Sequence, residues 1–197
     1  MMAVRLLRPL FLALTLVLAA CSSSPPLQRF PEMTFRNMPP IRLDVGRIEV
    51  VPEYQPPAQP PHIEYDMPVA PENAVRRWVQ DRLQPVGRTG TLRVVIHDAQ
   101  ATEVPLKTDD TITGVFKKEQ AARIKMSVDV SIQLLDDKQF VSAEATGNAA
   151  VSRTTTEGIK LNEHDRVLYE MVEEMMKNFN ANIEPSIRSS LGPIIVM

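Results

Sequence analysis

From Ile124 to Leu134 the chain alternates without a break: Ile124, Met126, Val128, Val130, Ile132 and Leu134 against Lys125, Ser127, Asp129, Ser131 and Gln133. Successive side chains of a strand point to opposite faces, so this period of two predicts a strand with one buried and one solvated face. Such a strand is not stable alone: it needs neighbours in a sheet and a second layer over its apolar face.

The following residues supply both. Asp136, Asp137 and Lys138 read as a turn, and residues 139–153 as a returning strand. Val141, Ala143, Ala145, Gly147, Ala149 and Val151 give that strand a face of small side chains, which predicts a helix seated close against it. The helix comes next. Asn162 suits its N-cap, Leu161 can staple its start, and Glu163 and Asp165 suit the positive end of the helix dipole. Val167, Leu168, Met171, Val172, Met175, Phe179 and Ile183 then recur at helical spacing, up to Pro185, which is expected to end or kink the helix. Met171 and Met175 read as core. Met176 falls off the stripe and is expected nearer the surface. Ile187, Leu191, Ile194, Ile195 and Val196 predict a tail that packs.

Upstream, residues 71–83 read as a helix. Pro71 suits its first position, Val75, Trp78, Val79 and Leu83 share a face, and Pro85 and Gly87 end it. Residues 91–104 read as a strand, with Leu92, Val94 and Ile96 inward. Residues 105–119 read as a mobile connection or the tip of a hairpin. Residues 41–51 also read as a strand, with a bulge at Gly46 where the alternation slips. The expected order is β-α-β-β-β-α. The fold class is α+β: a two-layer sandwich with a mainly antiparallel four-stranded sheet and two helices on one face. Between Pro25 and Pro71 lie 12 of the 17 prolines, so residues 22–70 read as a stiff, extended tether carrying that first strand.

The first twenty residues read as a secretory signal. Arg5 and Arg8 form a positive start, and Leu10 to Leu18 is an apolar run too short to span a bilayer comfortably. The run ends in Leu18-Ala19-Ala20-Cys21, followed by Ser22-Ser23-Ser24-Pro25-Pro26. Cys21 is the single cysteine, so a disulfide within the chain is excluded.

This segment resembles the lipobox of bacterial lipoproteins. The resemblance implies that the chain is cleaved before Cys21, that lipid is attached to the Cys21 thiol, and that the protein is held on a membrane. Ser22, in place of an aspartate, implies the outer membrane, with the domain facing the periplasm. The domains expected are a signal at 1–20, the lipidated cysteine and Pro-rich tether at 21–70, and a periplasmic α+β domain at 71–197. The element order also resembles small α/β lipoproteins of the Gram-negative envelope: LptE-like and YajG-like lipoproteins and the auxiliary lipoproteins of ABC-type transporters. That likeness is one of pattern and implies no site residue besides Cys21.

Chemistry is sparse. His62, His97 and His164 show no ligand spacing and read as solvated side chains, so no metal is expected. Asp109-Asp110 and Asp136-Asp137 read as turn formers. There is no GxSxG, Walker or GxGxxG motif, and glycine numbers only seven. Removing the signal leaves 20 basic against 24 acidic residues, a balance that excludes a nucleic-acid partner. Lys107, Lys117, Lys118 and Arg123 flank the 105–119 connection, either as a solvated surface or as a contact for a partner or an anionic lipid. The expectation is a non-enzymatic binding or assembly factor of the cell envelope. It has no cofactor beyond lipid on Cys21, and its partners are the membrane and an envelope protein. The alternatives are an accessory to lipid or lipopolysaccharide transport, whose small-residue face and basic loop contact an acyl or phosphate group, and more remotely an anchored hydrolase.

Overall fold

The expected strand is the centre of a mixed sheet. A computed structural model describes residues 30–106, 120–156 and 158–196. Its elements are β1 (Ile41–Leu43), β2 (Arg47–Pro52), α1 (Pro71–Arg82), β3 (Leu83–Pro85), β4 (Thr91–Pro105), β5 (Gln120–Leu135), β6 (Val141–Thr156) and α2 (Leu161–Ser190). Single 3-10 turns lie at Glu64–Asp66 and Gly192–Ile194. The large sheet has the order β2-β4-β5-β6. β4, β5 and β6 form the expected antiparallel meander, while β2 joins β4 in parallel. The parallel pair follows from the helix between them, since parallel strands require a long crossover. The result is the expected α+β sandwich with two helices.

On the covered face Ile124, Met126, Val128, Val130 and Ile132 of β5 are buried, as the alternation predicts. α1 contributes Val75, Trp78 and Val79, and α2 contributes Leu168, Met171, Val172, Met175, Phe179 and Ile183. The helices meet where Trp78 packs edge-on against Phe179, with ring centroids 5.2 Å apart. The small face of β6 does admit a helix. A Cβ on Gly147 would lie 2.5 Å from Ile183 Cδ1, so α2 sits where only glycine leaves room. That packing takes up the face that a lipid-transport accessory was expected to offer to an acyl chain.

Several expectations are corrected. Met176 is fully buried, because the N-terminal segment covers that side of α2. Pro185 does not end α2, which continues to Ser190. Pro185 and Ala181 are both exposed, so the carbonyl left without its i+4 donor faces water, while buried Ile183 and Ile187 hold the helix down on either side. α2 starts at Leu161 after Lys160, not after an Asn162 cap, and Leu161 is exposed and staples nothing. The 41–51 strand is split instead of bulged. Val45 is buried and Gly46 passes so close to Arg88 that a Cβ would lie 2.9 Å from its carbonyl oxygen; β1 therefore pairs with β3 in a second, two-stranded sheet. The register slip falls in β4, between Ile96 and Asp98, after which Ala99 and Ala101 face the core. The C-terminal tail packs as expected, with Ile195 bridging to Leu43 and the Val196 N–H donating to the Arg42 carbonyl at 2.9 Å.

The largest correction concerns the tether. Residues 30–70 lie on the domain, which therefore begins well before residue 71. Met33 and Phe35 are buried, and Phe30 stacks on Tyr169 at 5.2 Å. The Tyr169 hydroxyl donates to the Pro31 carbonyl at 3.2 Å, and Arg77 pairs with Glu32. Asp81 accepts from the Phe35 N–H at 2.9 Å and from Arg36 at 3.0 Å. Residues 53–66 continue along β4 as a strap: Glu53 donates to the Ile96 carbonyl at 2.9 Å, Ile63 to that of Ala101 at 3.1 Å, and Glu103 back to that of Pro61 at 2.8 Å. Proline forbids helix and removes donors, but it leaves extended backbone free to bind an edge and anchor single side chains.

Candidate functional site

The strap, the C-terminal end of β4 and the starts of both helices meet at one end of the domain. β4 runs towards it, and its last residues pair with the first of β5, Pro105 opposite Ala122. β6 ends there at Thr156, and α2 starts there at Leu161. His164 in the first turn of α2 lies 3.1 Å from Glu103 of β4.

Beneath the strap is a polar cluster that the sequence reading missed. Glu64 is only 5% exposed. Its Oε1 accepts from the Tyr54 hydroxyl at 2.8 Å and from the Ala101 N–H at 2.8 Å, and lies 3.2 Å from His62 Nδ1. Its Oε2 is buried without a partner among the described residues. Burial alone would raise the Glu64 carboxyl; the backbone donors of Ala101 and Glu64, then Tyr54 and His62, outweigh it and hold the group below its ordinary value. Burial, and then the adjoining carboxylate, push the Tyr54 hydroxyl up, so it stays a donor. His62 Nδ1 faces that same carboxylate oxygen, so a proton on this nitrogen would be hydrogen-bonded to Glu64.

The histidines are therefore not simply solvated. His62 bonds Glu64, His164 pairs with Glu103, and His97 bridges Glu53 at 2.7 Å and Ser131 at 2.8 Å. His97 and His164 each join separate parts of the chain at β4, while His62 bonds within the strap. Among the described residues no group of three His, Cys, Asp or Glu side chains is placed to hold a metal.

Two clefts flank the strap. One, of about 560 Å³, is lined by Pro60, Pro61, His62, Tyr65, Glu103 and Ala122 among others. The other, of about 590 Å³, lies between Phe30, Met33, Tyr65, Met67, Arg77 and Asp165. The first offers an imidazole beside carboxylates, but no serine, threonine or cysteine is among its described lining residues. Its imidazole, phenol and carboxylates can exchange hydrogen bonds with a ligand.

No family model matches the chain, and no curated protein matches it. Among the described residues no helix is long and apolar enough to cross a membrane, which leaves strands out of account.

Of the residues singled out in the sequence, Cys21, Lys107, Lys117 and Lys118 lie outside the described residues. Arg123 is exposed on the open face of β5, opposite Val104 of β4, at the same end as the cluster. A second polar group is structural in character: buried Arg82 of α1 bonds Glu184 of α2 at 2.6 Å and also reaches the Pro39 carbonyl, tying the N-terminal segment to both helices. Glu64 and Tyr54 escaped the sequence reading because they sit among prolines. The available signal was aromatic content: Phe30, Phe35, Tyr54 and Tyr65 are more than a solvated tether carries.

Proposed function

We propose that the protein is a lipoprotein of the bacterial cell envelope, held by lipid on Cys21, facing the periplasm from the outer membrane, and acting by binding a partner and not by turnover. The observation that carries this reading is the ordered run of Arg5, Arg8, the apolar stretch Leu10 to Leu18, and Leu18-Ala19-Ala20-Cys21. The packing of the domain is consistent with it. The N-terminal segment is fixed to α1 and α2 from Phe30 onward, so only residues 22–29 separate the cysteine from the domain. Covalent geometry limits those nine Cα-to-Cα steps to roughly 30 Å. A domain held this close meets membrane partners at a high effective concentration.

The binding reading draws on the clefts at the strap, which hold polar groups ready to hydrogen-bond. The test is a Cys21→Ser substitution, followed by membrane fractionation and by crosslinking from intact cells. The substitution is expected to release the protein from membranes, or to leave it uncleaved, and to abolish crosslinks that the wild type forms with an envelope protein. A Cys21→Ser chain that matures to normal size and stays on the membrane contradicts the anchor. An activity lost on changing one polar residue contradicts the binding role.

A further inference from the structure

The end of the domain nearer to Phe30, the first described residue, exposes large apolar side chains. Tyr65 on the strap is 69% exposed, Leu161 at the start of α2 is 73% exposed, and Val104 near the end of β4 is 46% exposed. Local structure does not require any of the three. Leu161 is free of the staple contact its position invites, and Tyr65 makes one long hydrogen bond, to the Pro56 carbonyl at 3.4 Å. Cationic side chains accompany them. Arg123 is the cross-strand partner of Val104, and Lys160 immediately precedes Leu161. Asp66 and Glu163 are exposed at this end too, so charge alone does not define it.

We infer that the domain stands end-on to the bilayer that holds its lipid, with Tyr65, Val104 and Leu161 in contact with the membrane surface and Arg123 at the level of the lipid phosphates. This inference rests on the anchor at Cys21. The length of chain leading to the cysteine selects this end. Phe30 is stacked on Tyr169, which lies ~12 Å along α2 from its Leu161 end and ~30 Å from its Ser190 end at 1.5 Å per residue. With the Leu161 end down, the ~12 Å to be covered is well inside the reach of nine Cα-to-Cα steps. With the Ser190 end down, the link to Cys21 would have to be stretched to its roughly 30 Å limit, at a large cost in chain entropy. The far end does carry exposed Phe140 in the β5–β6 turn and Val141 at the start of β6, but they stand beside Asp136 and Asp137. Chemistry points to the same end as length: a tyrosine is suited to the depth where an apolar ring and a polar hydroxyl are both satisfied, and aliphatic side chains add to an anchor in proportion to the area they bury.

The experiment uses the full lipidated chain. Once Cys21 carries lipid, an added cysteine is the only free thiol, so Tyr65→Cys, Leu161→Cys and Phe140→Cys can each take a single nitroxide. The labelled proteins are reconstituted in vesicles of phosphatidylethanolamine and phosphatidylglycerol. Collision rates of each label with oxygen and with a water-soluble nickel chelate are then compared. All three positions are exposed, so Trp78 fluorescence should be unchanged and should verify folding. The expected result is a ratio of oxygen to nickel collisions at 65 and 161 severalfold above that at 140. Water-like ratios at all three positions, on protein that still floats with the vesicles, overturn the orientation and leave the anchor standing. Protein that does not float overturns both.

Discussion

Gly147→Ala tests the close seat of α2 on the sheet. A Cβ at 147 would lie 2.5 Å from Ile183 Cδ1, 2.6 Å from its Cβ and 3.0 Å from its Cα. The first contact can be relieved by a rotamer change; the other two move only with the helix backbone. Forcing an extra methyl into a packed core costs about 1–3 kcal/mol. Alanine in a strand recovers about 0.5–1 kcal/mol relative to glycine. Because two of the three contacts are to atoms fixed to the helix backbone, the upper part of that cost applies, and the expected net loss is about 1–2.5 kcal/mol, read as a lower urea midpoint with an unchanged slope. Trp78, the single tryptophan, is buried against Phe179 and reports the transition. Ile183→Ala alone should cost about 2–4 kcal/mol through the cavity it leaves. Combined with Gly147→Ala the loss should come close to the sum, because alanine at 183 keeps the Cβ and Cα that the new methyl meets and removes only the Cδ1 contact. A Gly147→Ala protein as stable as wild type, or a double variant markedly more stable than the sum, would refute the argument.

Three further outcomes are expected. Val130→Asp places an unpaired charge among fully buried side chains and should cost several kcal/mol, seen as loss of cooperative melting. Glu64→Gln should cost about 1–2 kcal/mol at neutral pH, since charge-assisted bonds from Tyr54, His62 and Ala101 become neutral ones. The folded Glu64 carboxyl lies below its unfolded value, so its contribution is complete above that unfolded value and is lost as pH falls through the folded one. Wild-type stability should then drop more steeply than that of the Gln variant on titration downward from about pH 5, a window set by the unfolded value of ~4.3. Asp81→Ala removes the acceptor of the Phe35 N–H and should speed hydrogen exchange across residues 33–38 while leaving β5 protected.

What was legible in the sequence followed from period. β5 alternates over its whole buried length because one face meets the helices, and α2 carries an apolar stripe because it lies along the small face of β6. The pairing of those two patterns defined the two-layer sandwich. Outside the alternation at 41–51, residues 30–70 carry no period. They bind through isolated anchors such as Met33, Phe35 and Ile63 and through backbone bonds to β4, so proline content suggested a tether. β3 has only three residues, too few for any alternation to show. Pro185 misled because its effect depends on which side of the helix faces water. The Glu64 cluster was invisible for a different reason: its Ala101 donor is 37 residues away, and only the strap's path brings the two together. Arg123 was picked out for its charge, and the structure adds that it stands opposite Val104.

The anchor on Cys21 is the claim on which position, reach and orientation all depend. Intact mass measurement of the mature protein extracted from membranes tests it most directly. The expected species begins at Cys21 and exceeds the mass of residues 21–197 by a diacylglyceryl group, with or without a further acyl chain on the amine. A chain that begins elsewhere, or one that begins at Cys21 with an unmodified thiol, contradicts it.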